Sequence, residues 1–177
     1  AVSSRTVTVN LATSGMATKP DDYTLNATMT IPVGASSAVV TLMAKNDTID
    51  EEDETVTITA SCTDNTCFGI SVQTVTILDT TPPPTVTLSL GATSVNEKTG
   101  ITATSVTATL SGTSARKVMV TLATSGTATA GDFTLPLVIT IPAGNATGSV
   151  TLEAKNDDPL DEFDETVIID MACDATC

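Results

Sequence analysis

The sequence predicts an all-β protein made of β-sandwiches in tandem, and three observations support this fold class. Short runs such as Thr6–Leu11 alternate polar and apolar residues with the two-residue period of a half-buried strand. Thr and Val dominate these runs, and both residue types favour pleated sheet surfaces. The runs recur in the second half of the chain, and no stretch shows helical periodicity. Repeated short strands separated by turns are typical of β-sandwiches.

An internal repeat spans most of the chain. The pentapeptide Leu11-Ala12-Thr13-Ser14-Gly15 recurs unchanged at 122–126. The turn sequence Ile31-Pro32-Val33-Gly34 recurs, with one substitution, at 141–144. Because the offsets of these two matches differ by a single position, the sequence predicts two copies of one supersecondary unit.

Inside each copy one predicted strand follows another, and Pro-x-Gly marks a turn between consecutive strands. In the first copy they are predicted at 6–11, 38–43, 56–58 and 72–78, and in the second at 85–90, 102–110, 118–122, 137–141, 149–152 and 167–169.

The copies predict two domains, 1–82 and 83–177, joined by the stiff connector Pro82-Pro83-Pro84. Aligned with each other, neither copy is whole. The first has no equivalent of 85–112, the two opening strands, and the second has no equivalent of 68–81, the closing strand. Either the chain is a segment of a long array, or the open ends of neighbouring subunits complete each other by strand addition.

Composition and charge exclude several classes of function. The 177 residues include no His and no Trp, which removes the commonest general base and argues against an enzyme. The net charge of −14, from 21 acidic and 7 basic residues, repels nucleic acid and attracts cations or basic partners. No apolar run reaches the roughly 18 residues of a membrane span. The chain begins without Met or a signal region, so we expect a processed form or a window on a longer chain.

Four cysteines form two close pairs, Cys62/Cys67 and Cys173/Cys177. Neither pair has the spacing of a zinc knuckle, and no His completes a zinc site. Two disulfides, each closing a small loop, are therefore predicted, and they indicate an extracellular or cell-surface location. The alternative is a reduced intracellular chain with buried thiols.

An acidic loop occurs once in each copy, at 46–56 and at 156–167, between two predicted strands. Crowded carboxylates repel one another unless they are solvated or share a cation. The sequence leaves both alternatives open: a Ca²⁺ site, or solvated charge at the end of a domain.

The repeated motifs resemble the Calx-β domain. The resemblance rests on Gly126–Thr134, on Ile141–Gly144 and on the acidic loop at 156–167, and the first copy matches it at 14–18 and 22–24. Calx-β domains are seven-stranded, immunoglobulin-like modules found in sodium–calcium exchangers, the integrin β4 tail and many bacterial surface proteins. The resemblance covers nearly the whole chain and implies tandem immunoglobulin-like sandwiches.

The resemblance also implies a set of oxygen ligands for Ca²⁺ from loops at one end of each sandwich. Carried over by position, they are Asp22, Asp47, Glu51 and Asp79 in the first copy and Glu97, Asp132, Asp157, Asp158 and Glu162 in the second. The first copy departs from the pattern, because Thr48 replaces an acid and two threonines follow Asp79.

Together, these features predict a structural or adhesive extracellular module in a fibre, stalk or filament, assembled from tandem repeats and stiffened by Ca²⁺. Its expected partners are further repeats or copies of itself, with no nucleic acid and no membrane span. The alternative is a calcium-binding regulatory sensor, which fits the paired cysteines less well.

Overall fold

The protein is all-β, as predicted. The structure is a computed structural model that describes residues 2–62, 67, 69–99, 102–156 and 163–173. Within these ranges every regular element is a strand. The chain forms two compact units: unit 1 comprises 1–47 and 52–80, and unit 2 comprises 48–51 and 81–177. Residues 48–51 thus group with unit 2, although their neighbours on both sides belong to unit 1.

Unit 1 contains a four-stranded antiparallel sheet in the order β3-β1-β5-β6 and a two-stranded sheet of β2 and β4. Its core is small and centres on Val56, which is fully buried, with Tyr23 and Leu25 beside it. The strands are β1 (Val7–Gly15), β2 (Tyr23–Thr24), β3 (Thr28–Ile31), β4 (Met43–Ala44), β5 (Glu54–Cys62) and β6 (Ile70–Ile77).

The described residues of unit 2 form a sandwich of seven strands. One sheet has the order β10-β12-β8-β7 and the other the order β11-β9-β13. Apolar side chains of both sheets, including Val106 of β8 and Val120 of β9, meet in one buried core. The strands are β7 (Val86–Leu90), β8 (Ala103–Leu110), β9 (Val118–Gly126), β10 (Phe133–Thr134), β11 (Val138–Ile141), β12 (Thr147–Ala154) and β13 (Val167–Cys173).

One predicted strand is largely absent. The alternating run at 38–43 forms a strand only at its end, in β4, and Val39 is 91% exposed. The corresponding β12 of unit 2 is complete because it pairs along most of its length with β8. Among the described residues of unit 1 no strand takes the place of β8, so the backbone of 38–42 has no ladder partner. An alternating pattern alone does not make a strand when the neighbouring strand is missing.

The glycine that ends β1 and the glycine that ends β9 allow two strands to approach closely. Gly15 and Gly126 have φ of 129° and 122°, where a side chain is strained. A Cβ at Gly126 would lie 2.1 Å from the carbonyl oxygen of Thr166, and a Cβ at Gly15 would lie 2.0 Å from that of Thr55. Gly15 therefore lets β1 lie close to the start of β5, and Gly126 lets β9 lie close to the residue before β13.

Candidate functional site

One end of unit 2 contains an open cavity of about 470 Å³ lined by acidic side chains. Four carboxylates line it: Glu97, Asp132, Asp164 and Glu165. They come from three separate stretches of the sequence, so only the fold brings them together. Apolar side chains, Leu152 among them, also line the cavity. Carboxylates are the oxygen ligands that a hard cation prefers.

Asp132 is held by the turn that precedes β10. Its carboxylate accepts a hydrogen bond from the backbone N–H of Thr129 at 2.5 Å, and its own N–H donates to the Thr129 carbonyl at 3.2 Å. The N–H of Lys155 donates to the Asp132 carbonyl at 2.8 Å, and the Lys155 ammonium donates to the Ala130 carbonyl at 2.9 Å. These bonds fix Asp132 at the rim of the cavity, half-buried.

Glu97 lies within a turn that the side-chain amide of Asn96 organises. The Asn96 oxygen accepts hydrogen bonds from the N–H groups of Lys98 and Thr99, at 2.9 and 3.1 Å. Such a turn fixes the backbone around the residue between them. Glu97 is half-buried and lines the cavity. A turn, and not a strand, holds its backbone in place.

Asp164 and Glu165 enter the cavity from the residues before β13. The carbonyl of Thr166 accepts hydrogen bonds from the N–H groups of Thr127 and Ala128, at 3.0 and 3.1 Å. This bonding requires the close approach that Gly126 allows. The backbone hydrogen bonds of Thr166 therefore hold Asp164 and Glu165 beside the cavity, and both side chains are exposed to solvent.

Unit 1 carries a related group of acids. One carboxylate oxygen each of Asp22 and Glu54 lies within 4.8 Å of the other. Both side chains are half-buried. The Asp22 carboxylate accepts hydrogen bonds from the Thr18 N–H at 2.5 Å and from the Thr18 hydroxyl at 2.9 Å.

The pKa of Asp22 is lower than its ordinary value of 3.8. Burial is the largest single effect and raises the pKa, but several opposing effects together outweigh it. They are the backbone and side-chain hydrogen bonds from Thr18, a side-chain hydrogen bond with Glu54 and the charge of Lys45. Asp22 is thus kept ionised, as a cation ligand must be.

Two of the nine predicted ligands, Glu97 and Asp132, line one cavity in unit 2. A third, Asp22, lies beside Glu54 in unit 1, and Glu51 is half-buried. Asp47 is exposed outside the Asp22–Glu54 pair, and the half-buried Asp79 donates its N–H to the Asp53 carboxylate at 3.0 Å. The predicted ligands Asp157, Asp158 and Glu162 lie outside the described residues.

Three acids of these groups are not among the predicted ligands: Glu54, Asp164 and Glu165. The sequence holds a signal for them, because Asp-Glu-Thr-Val occurs in both copies directly before a strand, at 53–56 and 164–167. Under the alternative of solvated charge, the sequence predicts that Glu54 and Glu165 serve the fold. Glu54 begins β5, and Glu165 lies just before β13.

Asp50 is also absent from the predicted set, and it is a buried acid of the acidic loop. Only 2% of its surface is exposed, and it packs in unit 2 against Ser114 and Arg116. The Ser114 hydroxyl donates to the Asp50 carboxylate at 2.6 Å, and the Arg116 guanidinium forms an ion pair with the other carboxylate oxygen. The acidic loop is therefore not uniformly solvated.

The predicted disulfide between Cys62 and Cys67 is confirmed, with a Cα–Cα distance of 5.9 Å. Cys173 is not a free thiol. Its predicted partner, Cys177, lies outside the described residues. Within the described residues no helix is long and apolar enough to cross a membrane.

Comparison with known proteins adds a distant structural likeness. No protein-family model matches the chain, and no curated protein matches it in sequence. Among solved structures it is similar to "CBD12 from CALX1.2", with 19% identity and a TM-score of 0.33. The match covers 85% of this chain and 64% of that one. A likeness this distant says nothing about function, and membership of the Calx-β family stays a prediction.

Proposed function

We propose that this chain is an extracellular structural or adhesive module, part of a fibre, stalk or filament, that binds Ca²⁺ at the acidic ends of its units. The observation that carries the proposal is the presence of four carboxylates, those of Glu97, Asp132, Asp164 and Glu165, in the lining of one cavity of unit 2. The Cys62–Cys67 disulfide supports an oxidising, extracellular setting.

The dimensions of the acidic group in unit 1 fit a calcium ion. Ca²⁺ binds oxygens at about 2.3–2.6 Å, so two ligands on opposite sides of the ion lie at most about 5 Å apart. The separation of 4.8 Å or less between the Asp22 and Glu54 oxygens falls within that limit. Oxygen-only ligands disfavour zinc and copper, which prefer nitrogen and sulfur.

A bound ion would also relieve a cost that the fold otherwise carries. Two ionised carboxylates held close together repel each other, and the repulsion increases as they leave water. An ion that neutralises them stabilises the folded units, which would stiffen a fibre at the ends of its domains.

The proposal is tested by thermal unfolding in millimolar Ca²⁺ and in chelator. Millimolar Ca²⁺ is about 1–10 times a Kd of about 10⁻⁴–10⁻³ M and adds about 0.4–1.4 kcal/mol, which for a unit of this size raises Tm by about 2–11 °C. The double variant Glu97→Gln/Asp132→Asn should lose the increase that unit 2 shows. Asp170→Asn, which removes an exposed acid of β13 outside the cavity, is the matched control and should keep it. Equal Tm values in Ca²⁺ and chelator for the unmodified protein would refute the proposal.

The same titration separates this function from the alternative, a calcium-binding regulatory sensor. Sensors bind with Kd of about 10⁻⁷–10⁻⁵ M, whereas extracellular modules bind at about 10⁻⁴–10⁻³ M. We expect the weaker range, because Asp164 and Glu165 are exposed and an ion bound by them keeps part of its water.

A further inference from the structure

The contacts of Asp50 define a small binding surface that the sequence repeats elsewhere. In unit 2, Asp50 and Ser114 form a parallel β-bridge, in which the Ala115 N–H donates to the Asp50 carbonyl at 2.9 Å. The carboxylate is bound by the Ser114 hydroxyl and by the Arg116 guanidinium. Ser114 and Arg116 together therefore bind one aspartate through both its backbone and its side chain.

Unit 1 contains the same Ser-x-Arg sequence at the equivalent position of the first copy, as Ser3-Ser4-Arg5. Its local structure shares two hydrogen bonds with that at 114–116. The Arg5 N–H donates to the Ser3 hydroxyl at 3.1 Å, as the Arg116 N–H does to the Ser114 hydroxyl at 3.0 Å. The Ser3 carbonyl accepts from Gly34 at 2.9 Å, as the Ser114 carbonyl does from Gly144 at 2.8 Å.

The two surfaces differ in what covers them. Ser114 is 1% exposed and Arg116 is half-buried, because the segment around Asp50 lies on them. Ser3 is half-buried and Arg5 is exposed. In the described part of the chain, no aspartate occupies the Ser3–Arg5 surface as Asp50 occupies the other. Unit 1 thus presents a formed but uncovered counterpart of the Asp50 binding surface.

We propose that the Ser3–Arg5 surface binds the acidic loop of a second copy of this chain, through Leu160-Asp161-Glu162. That tripeptide matches Ile49-Asp50-Glu51 in the order apolar–Asp–Glu and stands at the equivalent position of the second copy. Its structure lies outside the described residues, so the match is one of sequence. Two features favour this occupant: the sequence match, and charge complementarity between the Arg5 guanidinium and an acidic loop in a chain of net charge −14.

Binding of this kind is heterologous, because the surface and its occupant lie on different parts of the chain. A heterologous contact that does not close into a ring generates linear assemblies. The proposed contact would therefore supply one junction of the fibre proposed above. The contact does not depend on Ca²⁺, so it is tested in chelator. Its outcome is then independent of whether the acidic ends of the units bind Ca²⁺.

The experiment measures self-association of the intact chain by sedimentation velocity over a concentration series. Salt is kept at about 0.15 M, where a Debye length of about 8 Å screens the net repulsion between copies. The unmodified protein should form oligomers that grow with concentration. Arg5→Gln and Asp161→Asn should each weaken association at least about tenfold, because each leaves the other charge of the pair without its partner when the contact covers it. Lys117→Gln removes one positive charge at an exposed site next to the other surface and should change little.

A mixing experiment makes the test specific. Arg5→Gln keeps the acidic loop and Asp161→Asn keeps the binding surface, so an equimolar mixture should form dimers that do not grow further. A monomeric unmodified protein at every concentration would overturn the proposal. So would equal association of the Arg5→Gln variant, or an equal loss in Lys117→Gln, which would indicate general electrostatics.

Discussion

Replacing Gly126 by Ala should destabilise unit 2 strongly, because the glycine lies where a side chain has neither space nor an allowed conformation. The new Cβ would stand 2.1 Å from the Thr166 carbonyl oxygen, well inside van der Waals contact, at a φ of 122°. The strained conformation costs about 1–3 kcal/mol. Moving the Thr166 carbonyl away also breaks its hydrogen bonds to Thr127 and Ala128, at about 1 kcal/mol each.

The total is about 3–5 kcal/mol, and each kcal/mol lowers the Tm of a domain of this size by about 4–8 °C. Calorimetry or circular dichroism should therefore show a Tm at least about 12 °C lower than that of the unmodified protein. Gly112→Ala is the matched control, because a Cβ there meets no atom within 4 Å. If both variants melt within a few degrees of each other, the close approach of Gly126 and Thr166 is wrong.

Three further predictions concern stability. Asp22 has a pKa below 3.8 in the folded protein, so its contribution is present above that pH and is lost as pH falls through the folded pKa. Asp22→Asn should therefore flatten the decrease of Tm in acid, and an unchanged profile would contradict the assignment. Arg116→Met leaves the carboxylate of Asp50 buried and should cost about 2–4 kcal/mol in urea unfolding. Adding Asp50→Leu should recover part of that loss, and additive losses would show that the two side chains are not coupled. Cys62→Ser with Cys67→Ser should cost about 2 kcal/mol, because a loop of sequence separation 5 is no longer closed. Reducing agent should lower the stability of the unmodified protein at least as much, because Cys173 is also not a free thiol.

The alternating pattern predicts strands well wherever a partner strand is present. The prediction at 102–110 is confirmed by β8, which pairs with β7 on one side and with β12 on the other. The prediction at 38–43 is wrong for a reason that the local pattern does not contain. Sheet formation needs a second backbone, and unit 1 has no β8 equivalent among its described residues. The alignment of the two copies does reveal that gap, because 85–112 has no counterpart in the first copy.

The acidic residues are harder to assign, because composition does not distinguish a solvated carboxylate from a bound one. Glu97 and Asp132 are far apart in the sequence and line one cavity only because the fold brings their loops to the same end of the sandwich. In the sequence, Asp50 resembles the other acids of its loop. Its burial depends on Ser114 and Arg116, which lie in the other copy of the repeat, and no local pattern indicates such a contact.

The central claim, that the acidic ends of the units are ion sites, is tested most directly by calorimetric titration of the intact chain with Ca²⁺. We expect at least one ion in each unit, bound with Kd of about 10⁻⁴–10⁻³ M. Asp22→Asn/Glu54→Gln should remove the binding of unit 1 alone, and Glu97→Gln/Asp132→Asn should remove that of unit 2 alone. Absence of binding at millimolar Ca²⁺, or binding that both double variants retain in full, would contradict the account and leave these carboxylates as solvated charge.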